Sequence, residues 1–221
     1  MHEGHRNRLK NRFLEEGLDG FEDYQILELL LFYAIPRRDV NELAHFLINK
    51  YGSLSGVLEA DHKDLAKTPG LGINSAVLLA LIPPLARNYM KNRWGTRPTL
   101  GGTVQAGDYV LTLFAGRTYE AFYVICLDAQ HKVIHPALVH EGTIDQAPVY
   151  PRLIVETALR HKAHSVILAH NHPGGSANPS PQDIDVTKRI QSALEQISIT
   201  VLDHIIAAGE KYVSCAERGL I

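Results

Sequence analysis

The apolar residues of this chain keep one period up to about residue 92 and another after about residue 107. Between the two lies Asn92-Arg93-Trp94-Gly95-Thr96-Arg97-Pro98-Thr99-Leu100-Gly101-Gly102-Thr103-Val104-Gln105-Ala106-Gly107, a stretch without periodicity that gathers Gly, Pro and Thr as linkers do. Upstream, Ile26, Leu29, Leu30, Phe32 and Tyr33, then Leu43, Phe46, Leu47 and Tyr51, recur at helical spacing with no strand alternation. Downstream, short β-rich runs at Ala121–Leu127, Lys132–Val139, Ser165–Ala169, Thr200–Ala207 and Lys211–Ser214 are separated by polar turns and by two helical stretches, Pro151–His161 and Pro181–Gln196. The pattern predicts two domains: an all-helical one over residues 1–95, and one over 103–221 that is mixed α/β around a central sheet.

Composition narrows the class without naming it. With 221 residues, 45% hydrophobic and 21% charged, the chain can bury a core, which excludes disorder and collagen-like or disulfide-scaffold folds. The net charge is −2, split as +1 before residue 99 and −3 after it, so a globally basic, DNA-coating protein is excluded. Arg6, Arg8, Lys10 and Arg12 spread around a helix and read as a solvated face. Cys126 and Cys215 are unrelated in position, the start Met1-His2-Glu3-Gly4-His5-Arg6 is polar, and the longest apolar run, Ala76–Leu85, is too short for a membrane span. A cytoplasmic protein without membrane contact is expected. Eight of the 12 histidines follow residue 99, so histidine chemistry is expected in the second half.

The stretch with the most chemistry is Ser165-Val-Ile-Leu-Ala-His170-Asn171-His172-Pro173-Gly174-Gly175-Ser176-Ala177-Asn178-Pro179-Ser180-Pro181-Gln182-Asp183. It reads as a buried strand stopped by Pro-Gly-Gly. Residues i and i+2 of a strand share a face, so His170 and His172 present two imidazoles side by side. Ser180 followed by Pro181 is a helix start, with Ser at the N-cap and Pro at N1, which puts Asp183 in the first turn facing the loop. Two imidazoles and a carboxylate suit one tetrahedral Zn²⁺ per chain, with water in the fourth position as in catalytic sites. The plainer alternative is that the histidines are exposed polar residues and Asp183 is only the capping-box partner of Ser180.

This stretch resembles the metal signature of the JAMM (MPN+, Jab1/MPN) metallopeptidase fold, His-x-His-Pro, six residues, Ser, two residues, Asp, matched here by His170, His172, Pro173, Ser180 and Asp183. The variant His-Asn-His-Pro-Gly-Gly resembles in particular the RadC family, long labelled as DNA repair proteins. That similarity runs from about Ala106 to the ending Tyr212-Val-Ser-Cys-Ala-Glu-Arg-Gly-Leu. It extends to the family's helical N-terminal domain through Gly4-His5-Arg6 and Ile26-Leu-Glu-Leu-Leu-Leu-Phe-Tyr. The resemblance implies a mixed-sheet, cytidine-deaminase-like JAMM domain in the second half and a catalytic glutamate at the start of a core strand. Glu120, opening Glu120-Ala-Phe-Tyr-Val-Ile-Cys-Leu-Asp, fits that place, and Glu141 is the rival. In the implied mechanism zinc lowers the pKa of a bound water toward about 7, Glu120 moves the proton, and Ser180 hydrogen-bonds the oxyanion while also serving as N-cap.

His204 is expected to be a core or supporting residue rather than a ligand, and Cys126 a small buried hydrophobe. Triad, Rossmann and Walker signatures are absent, and the contiguous His-Asn-His is not the dispersed HNH nuclease motif. In the first half, Asp64-Leu65-Ala66-Lys67-Thr68-Pro69-Gly70-Leu71-Gly72-Ile73-Asn74-Ser75-Ala76 resembles a helix-hairpin-helix, whose turn at Gly70 and Gly72 offers backbone N–H groups to a DNA phosphate. With Lys67 the sole nearby base, a structural or protein-docking role is favoured over DNA binding. The reading is therefore a zinc-dependent hydrolase acting on a peptide or isopeptide bond of an unnamed substrate. The alternatives are a DNA-binding accessory module with a structural metal, and a metal-activated water directed at a phosphodiester. The last is disfavoured because paired ions and several carboxylates usually serve that reaction.

Overall fold

The computed structural model describes residues 2–142 and 151–221, and the chain divides into two compact units between Ala86 and Arg87. The first unit is helical: α1 (His2–Glu16), α2 (Asp23–Ala34), α3 (Asn41–Tyr51), α4 (Leu54–Leu58), α5 (His62–Ala66) and the start of α6 (Gly72–Arg93), within which the division falls. Local signals set these boundaries. Gly52 ends α3 in the left-handed conformation, Ser53 caps α4 by accepting from the Gly56 N–H, and Asp61 caps α5 by accepting from Lys63 and Asp64. The core of this unit is aliphatic, with Leu27, Leu31, Ala44, Leu47, Val57, Leu65, Ala76 and Leu79 sealed from solvent.

The basic residues of α1 are not uniformly solvated. Arg6 donates to the carbonyls of Phe32 (3.3 Å), Ile35 (2.7 Å) and Arg38, closing the open C-terminal end of α2, and His5 lies 3.0 Å from the buried carboxylate of Glu28. Arg12 bonds Glu16, Gln25 and the Gly20 carbonyl, while Arg8 is exposed. The Gly-His-Arg start is thus a tertiary clamp, which helical spacing by itself cannot reveal.

The second unit holds α7 (Thr103–Phe114), β1 (Ala121–Leu127), β2 (Val133–Glu141), α8 (Pro151–Arg160), β3 (Ser165–Asn171), α9 (Pro181–Glu195), β4 (Thr200–Ala208) and β5 (Lys211–Ser214). The sheet order is β2-β1-β3-β4-β5, with β3 and β4 parallel and the other pairs antiparallel, so the sheet is mixed as expected. Its two faces separate by parity. Tyr123, Ile125, Ile167, Ala169 and Ile205 pack with Tyr109, Val110 and Leu113 of α7. Phe122, Val124, Cys126, Val166 and Leu168 pack with Ile154 and Ala158 of α8 and with Ile190 and Leu194 of α9. Burial pushes both thiols, Cys126 and Cys215, up to about 11.

Helix α7 differs from the sequence reading, which took residues up to 107 as linker. Gly107 stands inside the helix because the Tyr212 ring lies directly on it: a Cβ there would be 2.1 Å from the Tyr212 Cζ. A glycine that reads as a loop signal is here a packing device.

Candidate metal centre

Because β3 and β4 are parallel, the chain must cross over between them, and α9 makes that crossing. The first turn of α9 therefore returns to the end of β3, where His170 and His172 lie. Both histidines share the parity of Leu168 and Val166, which is the face that α9 covers. Among the described residues, His170, His172 and Asp183 form one group able to hold a metal ion. The His170 Nε2 is 2.9 Å from the His172 Nε2 and 3.1 Å from the Asp183 Oδ1, and the His172 Nε2 is 3.6 Å from the Asp183 Oδ2. Donors bound to a tetrahedral zinc lie roughly 3.3–3.6 Å apart, so the three fit such an ion after a few tenths of an ångström of relaxation.

The proton inventory behind these donors is complete. Thr187 donates its hydroxyl proton to the Asp183 carbonyl (2.5 Å), so it can only accept from the His204 Nδ1, also at 2.5 Å. The His204 Nε2, thereby left without a proton, accepts from the His170 Nδ1 at 2.8 Å. When the His170 ring is neutral, that leaves a lone pair on its Nε2, facing the other donors; a second proton on the ring would sit there and bond Asp183. His204 is fully buried, and burial, then the charge of His170, holds its pKa well below the usual imidazole value, consistent with this neutral state. His172 is oriented alike: its Nδ1 lies 2.7 Å from the Ser176 carbonyl in the Pro-Gly-Gly loop.

Asp183 forms the capping box and still faces the histidines. Its Oδ2 accepts from the Ser180 N–H and hydroxyl (2.7 Å each) while its N–H donates to the Ser180 Oγ (3.1 Å), and its Oδ1 stays turned to His170. Burial opposes ionisation of Asp183, but the hydrogen bonds of His170, His172 and Ser180 outweigh it and hold the carboxyl far below its usual range. The Ser180 hydroxyl proton is donated to Asp183, whereas the N-cap bond uses a lone pair of the same oxygen; donation to an oxyanion would give up the first bond and leave the cap in place.

Glu120 immediately precedes β1 and continues the parity of Phe122, the residue paired with His170. The Asp183 hydrogen bond, ahead of opposing burial, raises the pKa of His172, and the negative charge of Glu120 adds to that rise. Glu141 is paired with Ala121 and shares its face, on the α7 side. There Arg117 (2.8 Å) and the Tyr119 hydroxyl (3.1 Å) hold it, and the Arg117 bond lowers its pKa.

In the first unit, Gly70, in the turn between α5 and α6, and Gly72, the first residue of α6, both have positive φ. Lys67 is paired with Asp64 at 2.9 Å, and the Arg38 guanidinium lies 3.4 Å from where a Gly70 Cβ would be. No sequence signal connects residues 38 and 70.

Residues 102–220 match the RadC-like JAB domain. A UPF0758 protein of Fusobacterium nucleatum subsp. nucleatum is 36% identical over 226 residues, covering 99% of this chain and 97% of that protein. The chain belongs to the RadC family. In this RadC-family chain, the residues that sequence reading left out of the centre are Thr187 and Asn171. Thr187, four residues after Asp183, stands on the same helix face and was within reach of periodicity. Among the described residues, no helix is long and apolar enough to cross a membrane.

Proposed function

We propose that this RadC-family protein is a zinc-dependent hydrolase cleaving a peptide or isopeptide bond at His170, His172 and Asp183. The supporting observation is the set of committed outer nitrogens: the His170 Nδ1 faces His204 and the His172 Nδ1 faces Ser176, so both Nε2 atoms turn toward the Asp183 carboxylate. Two imidazoles and one carboxylate are a catalytic zinc donor set, and zinc bound there would acidify a water and polarise a carbonyl.

The chain's own groups supply the rest. Glu120, on the α9 side of the sheet, takes a proton from the attacking water and returns it to the leaving nitrogen, ending in its starting state. Glu141, held on the opposite face by Arg117, is the weaker candidate. Ser180 turns its hydroxyl from Asp183 to the oxyanion as negative charge develops there. Phe122, fully buried and parallel to the His170 ring at 5.9 Å between centroids, forms a dry wall that strengthens these interactions.

Elemental analysis of the purified protein beside His172→Ala tests the reading. One zinc per chain, lost in the variant, followed by zinc-dependent cleavage in a peptide and isopeptide panel, is expected. No zinc in protein purified without chelator, and none taken up on addition, overturns it. A second role, contact with a DNA phosphate at the Gly70 turn, is favoured by the neighbouring Arg38. It predicts affinity that falls steeply with salt, weakens in Arg38→Ala and survives His172→Ala.

A further inference from the structure

The residue between the two histidines is not a spacer. Asn171 is 4% exposed, and its side-chain amide reaches across to the segment before β1. Its Oδ1 accepts from the Ala121 N–H at 2.8 Å, and its Nδ2 donates to the Tyr119 carbonyl at 3.0 Å. Those two groups flank Glu120. The β1–β3 ladder has its last pair at Phe122 and His170, so the Asn171 amide extends the pairing by one residue in place of main chain. On its other side Asn171 is tied down by the sheet, paired with Ala207 of β4, while the following His172 N–H donates to the Ala207 carbonyl at 2.8 Å. The Glu120 carbonyl accepts from the Gly142 N–H at 2.8 Å, so the main chain around Glu120 is pinned at three points.

We infer that Asn171 is a positioning residue for Glu120, fixing that carboxylate relative to the His170–His172–Asp183 group through bonds to the peptide groups on either side of it. The inference rests on the proposed role of Glu120. The chemistry is specific to an amide, which offers an acceptor and a donor on one planar group, matching a main-chain N–H and C=O that face the same strand. Aspartate has the same shape but only acceptors when ionised, and would face the Tyr119 carbonyl with a negative charge. Two consecutive peptide bonds thus link both imidazole donors and the clamp on the proposed base. Their spacing cannot drift independently.

The test uses the full chain loaded with cobalt(II), as wild type, Glu120→Gln, Asn171→Ala, Asn171→Ser and the Glu120→Gln/Asn171→Ala double variant. Metal content is measured first, then the pH midpoint of the cobalt visible band. A carboxylate held near an ionising group moves its midpoint by about one unit or more. Glu120→Gln is expected to show that shift. Asn171→Ala and Asn171→Ser, both neutral, should keep one cobalt per chain, because His204 and Ser176 still orient the imidazoles, yet shift in the same direction. The double variant should shift no further than Glu120→Gln alone. A merely structural Asn171 would alter melting or metal content and leave the midpoint in place. Should Asn171→Ala fail to fold, the neutral, polar Asn171→Ser carries the same comparison. Asn171 variants that titrate like wild type while Glu120→Gln is shifted overturn the inference alone. A Glu120→Gln protein that titrates like wild type removes the role of Glu120 and the inference with it.

Discussion

The imidazoles of His170 and His204 meet nitrogen to nitrogen at 2.8 Å, across 34 residues of sequence and with no solvent access to either ring. Such contact requires one ring to donate and the other to accept, and Thr187 decides which. The tautomer that turns a lone pair of His170 toward His172 and Asp183 is therefore written into α9 and β4, outside that group.

Weakening that support should weaken metal binding without removing a ligand. His204→Ala and Thr187→Val are each expected to lower zinc affinity about 10–100-fold. Competition against a chromophoric chelator measures it. Affinity unchanged in Thr187→Val would show that the His204 tautomer is set otherwise.

In the metal-free protein, His172 and Asp183 should give a stability window. Asp183 has a lowered folded pKa, so its contribution is present above its ordinary value of 3.8 and lost as pH falls below it. His172 has a raised folded pKa, so its contribution is complete below the ordinary 6.5 and lost as pH rises through the folded value. The difference in melting temperature between metal-free wild type and His172→Ala should shrink from about pH 5 to about pH 8. Zinc affinity should rise over the same range, because zinc takes the neutral imidazole. A difference that grows with pH contradicts the His172–Asp183 pairing.

The two glutamates should separate in one experiment. Glu120→Gln should lower zinc-dependent hydrolysis about 10²–10⁴-fold with zinc content unchanged. Glu141→Gln weakens the hold on Arg117 on the opposite face, and because Glu141 is about half-exposed the pair contributes under about 1 kcal/mol, so activity should stay within about twofold. Loss of activity in Glu141→Gln at full zinc content would transfer the role.

Gly107→Ala should destabilise the second unit by about 1–3 kcal/mol, since the new methyl would overlap the Tyr212 ring. Urea denaturation measures this. Combined with Tyr212→Ala, the cost should be markedly less than additive. Additive losses would mean that the ring does not press on the helix.

What the sequence determined by itself is what short-range physics controls. Strand parity placed His170 and His172 on one face, Pro-Gly-Gly stopped β3, and Ser180-Pro181 started α9 with Asp183 in its first turn. Each depends on dihedral preferences and hydrogen bonds within a few residues. Tertiary structure decided the rest. Strand order laid β4 beside β3, bringing His204 to His170, and placed β1 beside β3, bringing the Asn171 amide to residues 50 and 52 positions away. Register sent Glu141 to the far face, and the approach of Tyr212 put a glycine inside a helix, where it reads as a linker signal. Such contacts form between groups distant in sequence, where no local period records the partner, so only the folded chain reveals them.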